Sequence, residues 1–375
     1  MTGVTWILIY FAIALFTLVT YRKTQYVYCG IDGEGSLSVR PRRDGLRLLL
    51  IFFYAILFVL LNVYCTKTSA AYGSDRVNYA FEFTGHRGSG VGLDILFGLF
   101  RALSLSFTDM LYFTTFVSVL VILLAHGVFE YSSRLSLAFL LSTDFVFFTF
   151  TALKQSYSCA FAALLFVLLI KKRTLGNVIG CVLLITLAIL FHPASVVLIP
   201  LFLVCSFRRL NKTIILLYMV VLALAFVFFM DIGAFLANLV EPLFPKFAEM
   251  LTRYFKKLDR TDVVSAVAFL KGVSFYLLFG FGCIYRKRIK KTCLNYDKYL
   301  VILATASVLC LCSVYVYWTM RFRAFFYLPA AIFFGILFKN ISKKERIVLT
   351  VSTLGANLVL LVRWLLLIYS NYGGF

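Results

Sequence analysis

The sequence predicts an all-α protein that crosses a membrane about twelve times. Three observations predict this polytopic fold. First, the 375-residue chain is 62% hydrophobic and 14% charged, with a mean hydropathy of +0.95, which is more apolar surface than a water-soluble fold can hide. Second, apolar runs of about 18 residues recur along it, and in lipid a helix satisfies its own backbone amides where an open segment cannot. Third, the basic residues fall in short clusters between these runs, as topology determinants do. The net charge of +21 is therefore not read as a nucleic-acid footprint.

In chain order the spans are expected at 4–20, 48–65, 108–129, 135–152, 155–170, 175–191, 194–207, 213–230, 263–285, 299–317, 324–338 and 347–368, within one transmembrane domain over 1–375. The first, in MTGVTWILIYFAIALFTLVT (1–20), lacks a positive n-region and a small-residue cleavage site, so it is expected to be a span and not a removable signal. The fourth to seventh are short and share minimal turns.

Alternation of these spans puts segments 21–47, 130–134, 171–173, 208–212, 286–298 and 339–346 on one side. They hold 23 Lys and Arg against 12 in the opposite loops, with Lys271 and Arg363 inside spans. The richer side is cytoplasmic, so both termini are expected outside.

The cytoplasmic loops are mostly too short for a nucleotide-binding domain and contain no glycine-rich phosphate loop, which argues against an ATP-driven pump. The outer face carries the larger loops. In 66–107, VGLDILFGLFRALSL (91–105) is apolar but too short to span, so a short interfacial or re-entrant helix is expected. In 231–262, Leu243, Phe244, Phe247, Leu251, Tyr254, Phe255 and Leu258 recur at helical spacing among Lys246, Arg253, Lys256, Lys257 and Arg260. That pattern suits a basic amphipathic helix lying on the outer membrane surface.

Chemistry is expected at the outer ends of the spans. ILFHPAS (189–195) sets His192 and Pro193 at the shared turn of spans six and seven, where proline breaks the helix. Histidine titrates near neutrality and can take a proton from a hydroxyl. Lys154 and Gln155 fall at another outer turn, and Arg321 and Arg323 in WTMRFRAFF at a third. Cations at a membrane edge cost about 2.5 to 3.5 kcal/mol on insertion scales and usually mark a pathway, a pair or a site.

Arginine grips phosphate oxygens in pairs and lysine acts as a point charge, so a diphosphate is the expected anion. The competing account pairs these cations with Asp75, Asp94, Asp109 or Asp144, or lets them reach lipid phosphates. In the first outer loop Asp75, Arg76, Asn78, Tyr79, Glu82, His86 and Arg87 crowd a glycine-rich region, a set suited to sugar hydroxyls. His126, near the inner end of span three, is expected to pack, and Asp144 lies inside span four, where an unpaired carboxylate is costly. The nine cysteines form no C-x-x-C pair, and no HExxH, D-x-D or G-x-S-x-G is present. No metal, no cofactor and no serine nucleophile is therefore expected.

In order along the chain, GSDRVNYAFEF (73–83), GLDILFGLFRALSLSFTDMLYF (92–113), LKQSYSCAFAALLF (153–166), LAILFHPASVVLIPLF (187–202) and MRFRAFFYLPAAIFF (320–334) resemble the EpsG-like family of bacterial exopolysaccharide and O-antigen polymerases, the Wzy type. The chain departs at Lys154, where the family usually has arginine before the glutamine. The charge is kept and the bidentate fork is lost.

The resemblance implies a metal-independent glycosyltransferase similar to the GT-C kind, in the bacterial inner membrane with its site facing outward. A glycan on a polyprenyl diphosphate donor would pass onto a second lipid-linked repeat unit, with a flippase and a chain-length regulator as separate partners. Under it, Arg321 and Arg323, assisted by Lys154, stabilise the diphosphate. His192 serves as base or acceptor-orienting residue, with Asp75 competing for the base role, and Arg76, Tyr79, Gln155 and Glu82 touch sugar. The rival classes are a lipid-linked oligosaccharide flippase, a GT-C enzyme using a polyprenyl monophosphate sugar, and a membrane O-acyltransferase. A flippase would carry charge through the bundle and an internal repeat, whereas here charge gathers at the outer edge.

Overall fold

The computed structural model describes residues 3–21, 26–31, 37–41, 45–68, 74–85, 91–171, 174–207, 210–227, 241, 242, 245, 265–293, 295–312 and 317–372. The amphipathic helix expected in 231–262 lies almost wholly outside them. The chain forms two compact units, Met1–Ile199 with Tyr327–Phe375, and Pro200–Phe326.

Among the described residues, five helical stretches are long and apolar enough to cross a membrane: Gly45–Thr66, Phe107–Val128, Leu153–Ile170, Phe322–Asn340 and Lys343–Val362. Four shorter apolar stretches accompany them, Ile7–Thr20, Leu175–Phe191, Pro193–Cys205 and Lys212–Ala225. Many large apolar side chains point outward, among them Leu49, Phe52 and Leu60, and Ile347, Val351 and Val359. Water would penalise such surfaces, whereas lipid accepts them.

The first unit contains α1 (Gly3–Thr20), a hairpin of β1 (Tyr26–Ile31) and β2 (Leu37–Pro41), α2 (Gly45–Thr68), α3 (Ser74–Phe83), α4 (Val91–Ala102), α5 (Phe107–Val128), α6 (Arg134–Leu141), α7 (Phe145–Thr151), α8 (Leu153–Ile170) and α9 (Leu175–Phe191). A 3-10 turn, Pro193–Val197, then leads into α10 (Leu198–Cys205). The antiparallel hairpin pairs Tyr26 with Pro41 and Ile31 with Leu37. It occupies the stretch expected to be a plain basic loop.

Helix α5 is the axis of this unit, packed against α2, α7 and α8, while α8 packs on α9. Small polar groups lock these contacts, as they do where neighbouring helices have no hydrophobic drive to associate. Asn62 Nδ2 donates to Thr115 Oγ1 at 2.8 Å, Thr114 Oγ1 to Tyr157 Oη at 3.0 Å, and Ser158 Oγ to the Ala188 carbonyl at 2.7 Å. Ser106 caps α5 reciprocally with Asp109, whose Oδ2 accepts from the Ser106 amide at 2.8 Å. His126 is fully buried, with Tyr21 Oη 3.3 Å from Nδ1 and Ser136 Oγ 2.9 Å from Nε2, and so ties the end of α1 to α5 and α6.

The fourth expected span is broken. Helices α6 and α7 are separated by Ser142, Thr143 and Asp144. Ser142 Oγ donates to the Phe139 carbonyl at 2.6 Å and Thr143 Oγ1 to the Leu140 carbonyl at 2.7 Å, so side chains compete with the helical ladder. Irregular backbone at membrane depth survives where protein surrounds it, and residues 142–147 are all buried. Asp144 accepts a short hydrogen bond from Tyr327 Oη, and Asn357 Nδ2 donates to Ser142 Oγ at 3.2 Å.

The same unit ends with two C-terminal helices, Tyr327–Asn340 and Lys343–Tyr372. The first stacks Phe334 on Phe139 of α6, ring centroids 5.4 Å apart. A Cβ on Gly335 would lie 2.6 Å from the Tyr131 carbonyl oxygen, so the approach of the helix to that loop requires glycine.

The second unit holds the rest of α10, α11 (Lys212–Val227), α12 (Ser265–Ile289), α13 (Tyr296–Cys312) and a 3-10 segment, Tyr317–Phe326. With these counted, the C-terminal helices of the first unit are α14 (Tyr327–Asn340) and α15 (Lys343–Tyr372). Helix α13 packs against α11, α12 and the 3-10 segment. Tyr218 Oη lies 2.9 Å from Thr305 Oγ1, and Tyr296 Oη donates to the Gly282 carbonyl at 2.7 Å.

Candidate functional site

Residues 74–83 of the first outer loop, expected to be polar and exposed, form helix α3. Helical spacing sets Arg76, Tyr79 and Phe83 along one side of it. Phe83 enters an apolar cluster with Leu93, Phe97 and Phe100 of α4, Met110 and Leu111 of α5 and Leu153 of α8, and Tyr79 packs on its edge. This cluster seats α3 on the ends of three other helices.

Lys154, one residue beyond Leu153, is thereby brought to α3. Its Nζ lies 3.3 Å from Glu82 Oε2 and 5.3 Å from the centre of the Tyr79 ring. The two charged side chains are only 22% and 15% exposed, so the pair is screened less than a surface pair. Glu82, expected to touch sugar, is thus the partner of Lys154, while two of the aspartates expected to compete for the cations are engaged elsewhere. Asp109 caps α5 and Asp144 receives Tyr327. Gln155 is buried beside Lys154.

Arg76 is buried, and its Nη2 donates to Thr66 Oγ1 at 2.8 Å. Thr66 Oγ1 in turn bonds the Asn62 carbonyl at 2.7 Å, and Asn62 reaches Thr115. A polar chain therefore runs from the guanidinium into the bundle along α2 and α5. Arg76 also lines a cleft of about 540 Å³ with Thr66, Val77, Ala80, Phe81, Thr84, Phe107 and Thr108. Its lining mixes apolar side chains with hydroxyls and a cation, a combination that accepts an amphiphile with a polar head.

His192 caps the end of α9 and the start of the 3-10 turn. The last turn of α9 lies on α8, with Phe191 and Tyr157 ring centroids 4.8 Å apart, and on Gly92 of α4, where a Cβ would meet Phe191 Cδ2 at 2.9 Å and the Leu190 carbonyl at 3.0 Å. His192 is thus held at the same end of the unit as the Lys154–Glu82 pair. The Ala194 amide donates to His192 Nδ1 at 3.2 Å. A nitrogen that accepts an N–H carries no proton, so the neutral ring bears its hydrogen on Nε2. The buried Ser195 Oγ, three residues on, has no hydrogen-bond partner among the described residues.

Asp75 sits in the first turn of α3, and its side chain lies outside the described residues, as do His86 and Arg87 altogether. Arg321 and Arg323 belong to the second unit, on the 3-10 segment that packs against α12 and α13. Arg323 is 7% exposed, and the Arg321 side chain lies outside the described residues. The sequence reading missed the cleft walls Phe81, Phe107, Thr66 and Thr108. The spacing of residues 76, 79 and 83 was the available signal for α3.

A multi-spanning helical membrane protein is the class these features define. The EpsG family model matches residues 49–373, and the chain belongs to the EpsG family. That membership makes it a membrane protein of the polysaccharide polymerase type. No curated protein and no solved structure matches it.

Proposed function

We propose that this protein polymerises polyprenyl-diphosphate-linked oligosaccharide repeats into an O-antigen or exopolysaccharide, as a metal-independent glycosyltransferase at the outer face of the bacterial inner membrane. A GT-C-like plan of about twelve spans is part of the proposal. The observation that carries it is the meeting of Lys154, Glu82 and Tyr79, from segments 72 residues apart, on helix α3, whose residues Arg76, Val77 and Phe81 also line a cleft. A cation, a carboxylate and an aromatic face on a helix that also contributes to a partly apolar cleft match the needs of a sugar joined to a lipid phosphate.

In the reaction the acceptor hydroxyl oxygen forms a bond to the donor's anomeric carbon, and the bond from that carbon to the diphosphate oxygen breaks. The hydroxyl proton passes to a base, and the lipid diphosphate leaves as an anion. Arg321, Arg323 and Lys154 are the cations proposed to stabilise that developing charge. His192 has its Nδ1 engaged by the Ala194 amide, which suits its Nε2–H to donating and orienting a substrate oxygen more than to accepting a proton. The base role then passes to Asp75, with Arg76, Tyr79, Glu82 and Gln155 contacting sugar.

The test is a deletion strain complemented with variants, with the glycan resolved on a gel and lipid-linked repeats probed from outside. Deletion, Arg321→Ala and Arg323→Ala are each expected to collapse the ladder to single repeats, with intact repeats exposed on the outer face. Accumulation of repeats on the inner face would instead identify a flippase, and an unaltered ladder in both arginine variants would remove the proposed site.

A further inference from the structure

We infer that the junction between α12 and α13 is a binding site for the headgroup of a multiply charged anionic phospholipid. The last turn of α12 carries Arg286, Lys287 and Arg288, and the turn beyond it carries Lys290 and Lys291. These five residues line a cleft of about 680 Å³. Asp297, in the first turn of α13 and 8% exposed, spends both carboxylate oxygens on two of them: Arg286 Nε at 2.8 Å and Lys290 Nζ at 2.6 Å.

The turn is built and held. The amides of Thr292 and Cys293 both bond the Ile289 carbonyl at 2.9 Å, and Tyr296 Oη bonds the Gly282 carbonyl. A topology signal needs only the charges, and solvated lysines on a plain loop would serve. Here one carboxylate fixes two of the five cations that line a common space. Arg286 Nη2 is buried there with no acceptor among the described residues, which is costly for a guanidinium N–H. An anion placed in the cleft supplies that acceptor, and Arg288 can take two of its oxygens at once.

A lipid suits the cleft better than a free anion because the approach to it is apolar. Cys283 and Ile284, one turn before the cations, are exposed, Ile284 to 74%. Acyl chains can lie along that face of α12 while the phosphates enter the cleft, at the level where basic pockets meet anionic headgroups.

The experiment reconstitutes the full chain in phosphatidylcholine nanodiscs containing a trace of fluorescent cardiolipin and measures the lipid retained. The Arg288→Ala/Lys291→Ala variant leaves both bonds to Asp297 intact. It is compared with Lys343→Ala/Lys344→Ala, which removes the same charge at the exposed start of α15. Retention is expected to fall on the order of 10- to 30-fold in the first variant and to stay at the wild-type level in the second. Equal retention in the two variants would overturn the site, since net charge alone would then account for binding. Displacement of cardiolipin by inorganic diphosphate at equal concentration would overturn the lipid assignment.

Discussion

At the scale of single residues, the hydrogen bonding of His192 separates two roles that share one side chain. A general base must present a bare nitrogen, and Nδ1 already receives the Ala194 amide. Glutamine places an N–H donor near the position of Nε2 but cannot act as a base. His192→Gln is therefore expected to keep much of the glycan ladder, and His192→Ala to reduce polymerisation roughly 10²- to 10³-fold, the usual loss on removing an oriented donor. Equal loss in both variants would return the base role to His192.

The Lys154–Glu82 pair is tested by a double-mutant cycle on thermal stability in detergent. Both side chains are mostly buried, so a coupling of about 1 to 2 kcal/mol is expected, above the 0.2 to 1 kcal/mol of exposed pairs. Additive effects of Lys154→Ala and Glu82→Gln would show that the contact contributes nothing. Lys154 was legible in the sequence as a cation at a helix end. Its partner was not, because Glu82 lies 72 residues away and only the packing of α3 on Leu153 brings them together.

At the scale of elements, two close approaches hold the candidate site and the bundle in place. Helix α4 touches the last turn of α9 at Gly92, so Gly92→Ala must push α4 off the residues that carry His192. The side chains it meets include the edge of Phe191, which can yield, but the Leu190 carbonyl cannot without moving the helix. Gly335→Ala sets its Cβ 2.6 Å from the Tyr131 carbonyl. Overpacking of this kind costs about 1 to 3 kcal/mol, and a lowered melting temperature in detergent is expected for both variants. Polymer length should drop in Gly92→Ala more than its stability loss alone explains, as judged against Gly335→Ala.

The broken pair α6 and α7 has the opposite origin. Hydropathy marks 135–152 as one apolar run, but Ser142 and Thr143 offer the backbone other partners, and Tyr327 and Asn357 arrive to donate to Asp144 and Ser142. Asp144→Asn, which keeps an acceptor for Tyr327, is expected to fold. Asp144→Leu is expected to lower expression, because it leaves a buried hydroxyl unpaired at a cost of about 1 to 3 kcal/mol.

At the scale of the whole molecule, topology follows from charge. With Cys29 and Cys283 replaced by serine, a cysteine introduced at Ser342 is expected to resist a membrane-impermeant maleimide added outside, and one at Thr84 to react with it. Reversed labelling would invert the arrangement and remove the outward-facing site. The sequence by itself determined that this is a helical membrane protein of the EpsG kind, because span hydropathy, the charge of the connections and the ordered motifs are all local properties of the chain. The tertiary structure alone decided that α3 packs on Leu153, that Lys154 meets Glu82 and Tyr79, that His192 Nδ1 is engaged, and that Asp297 pairs with two cations of a basic cleft. The physical reason is range. Transfer to lipid is settled residue by residue along each span, whereas the partner of a buried charge is settled by which helices pack, and lipid-facing sequences rich in interchangeable apolar residues carry little record of that choice.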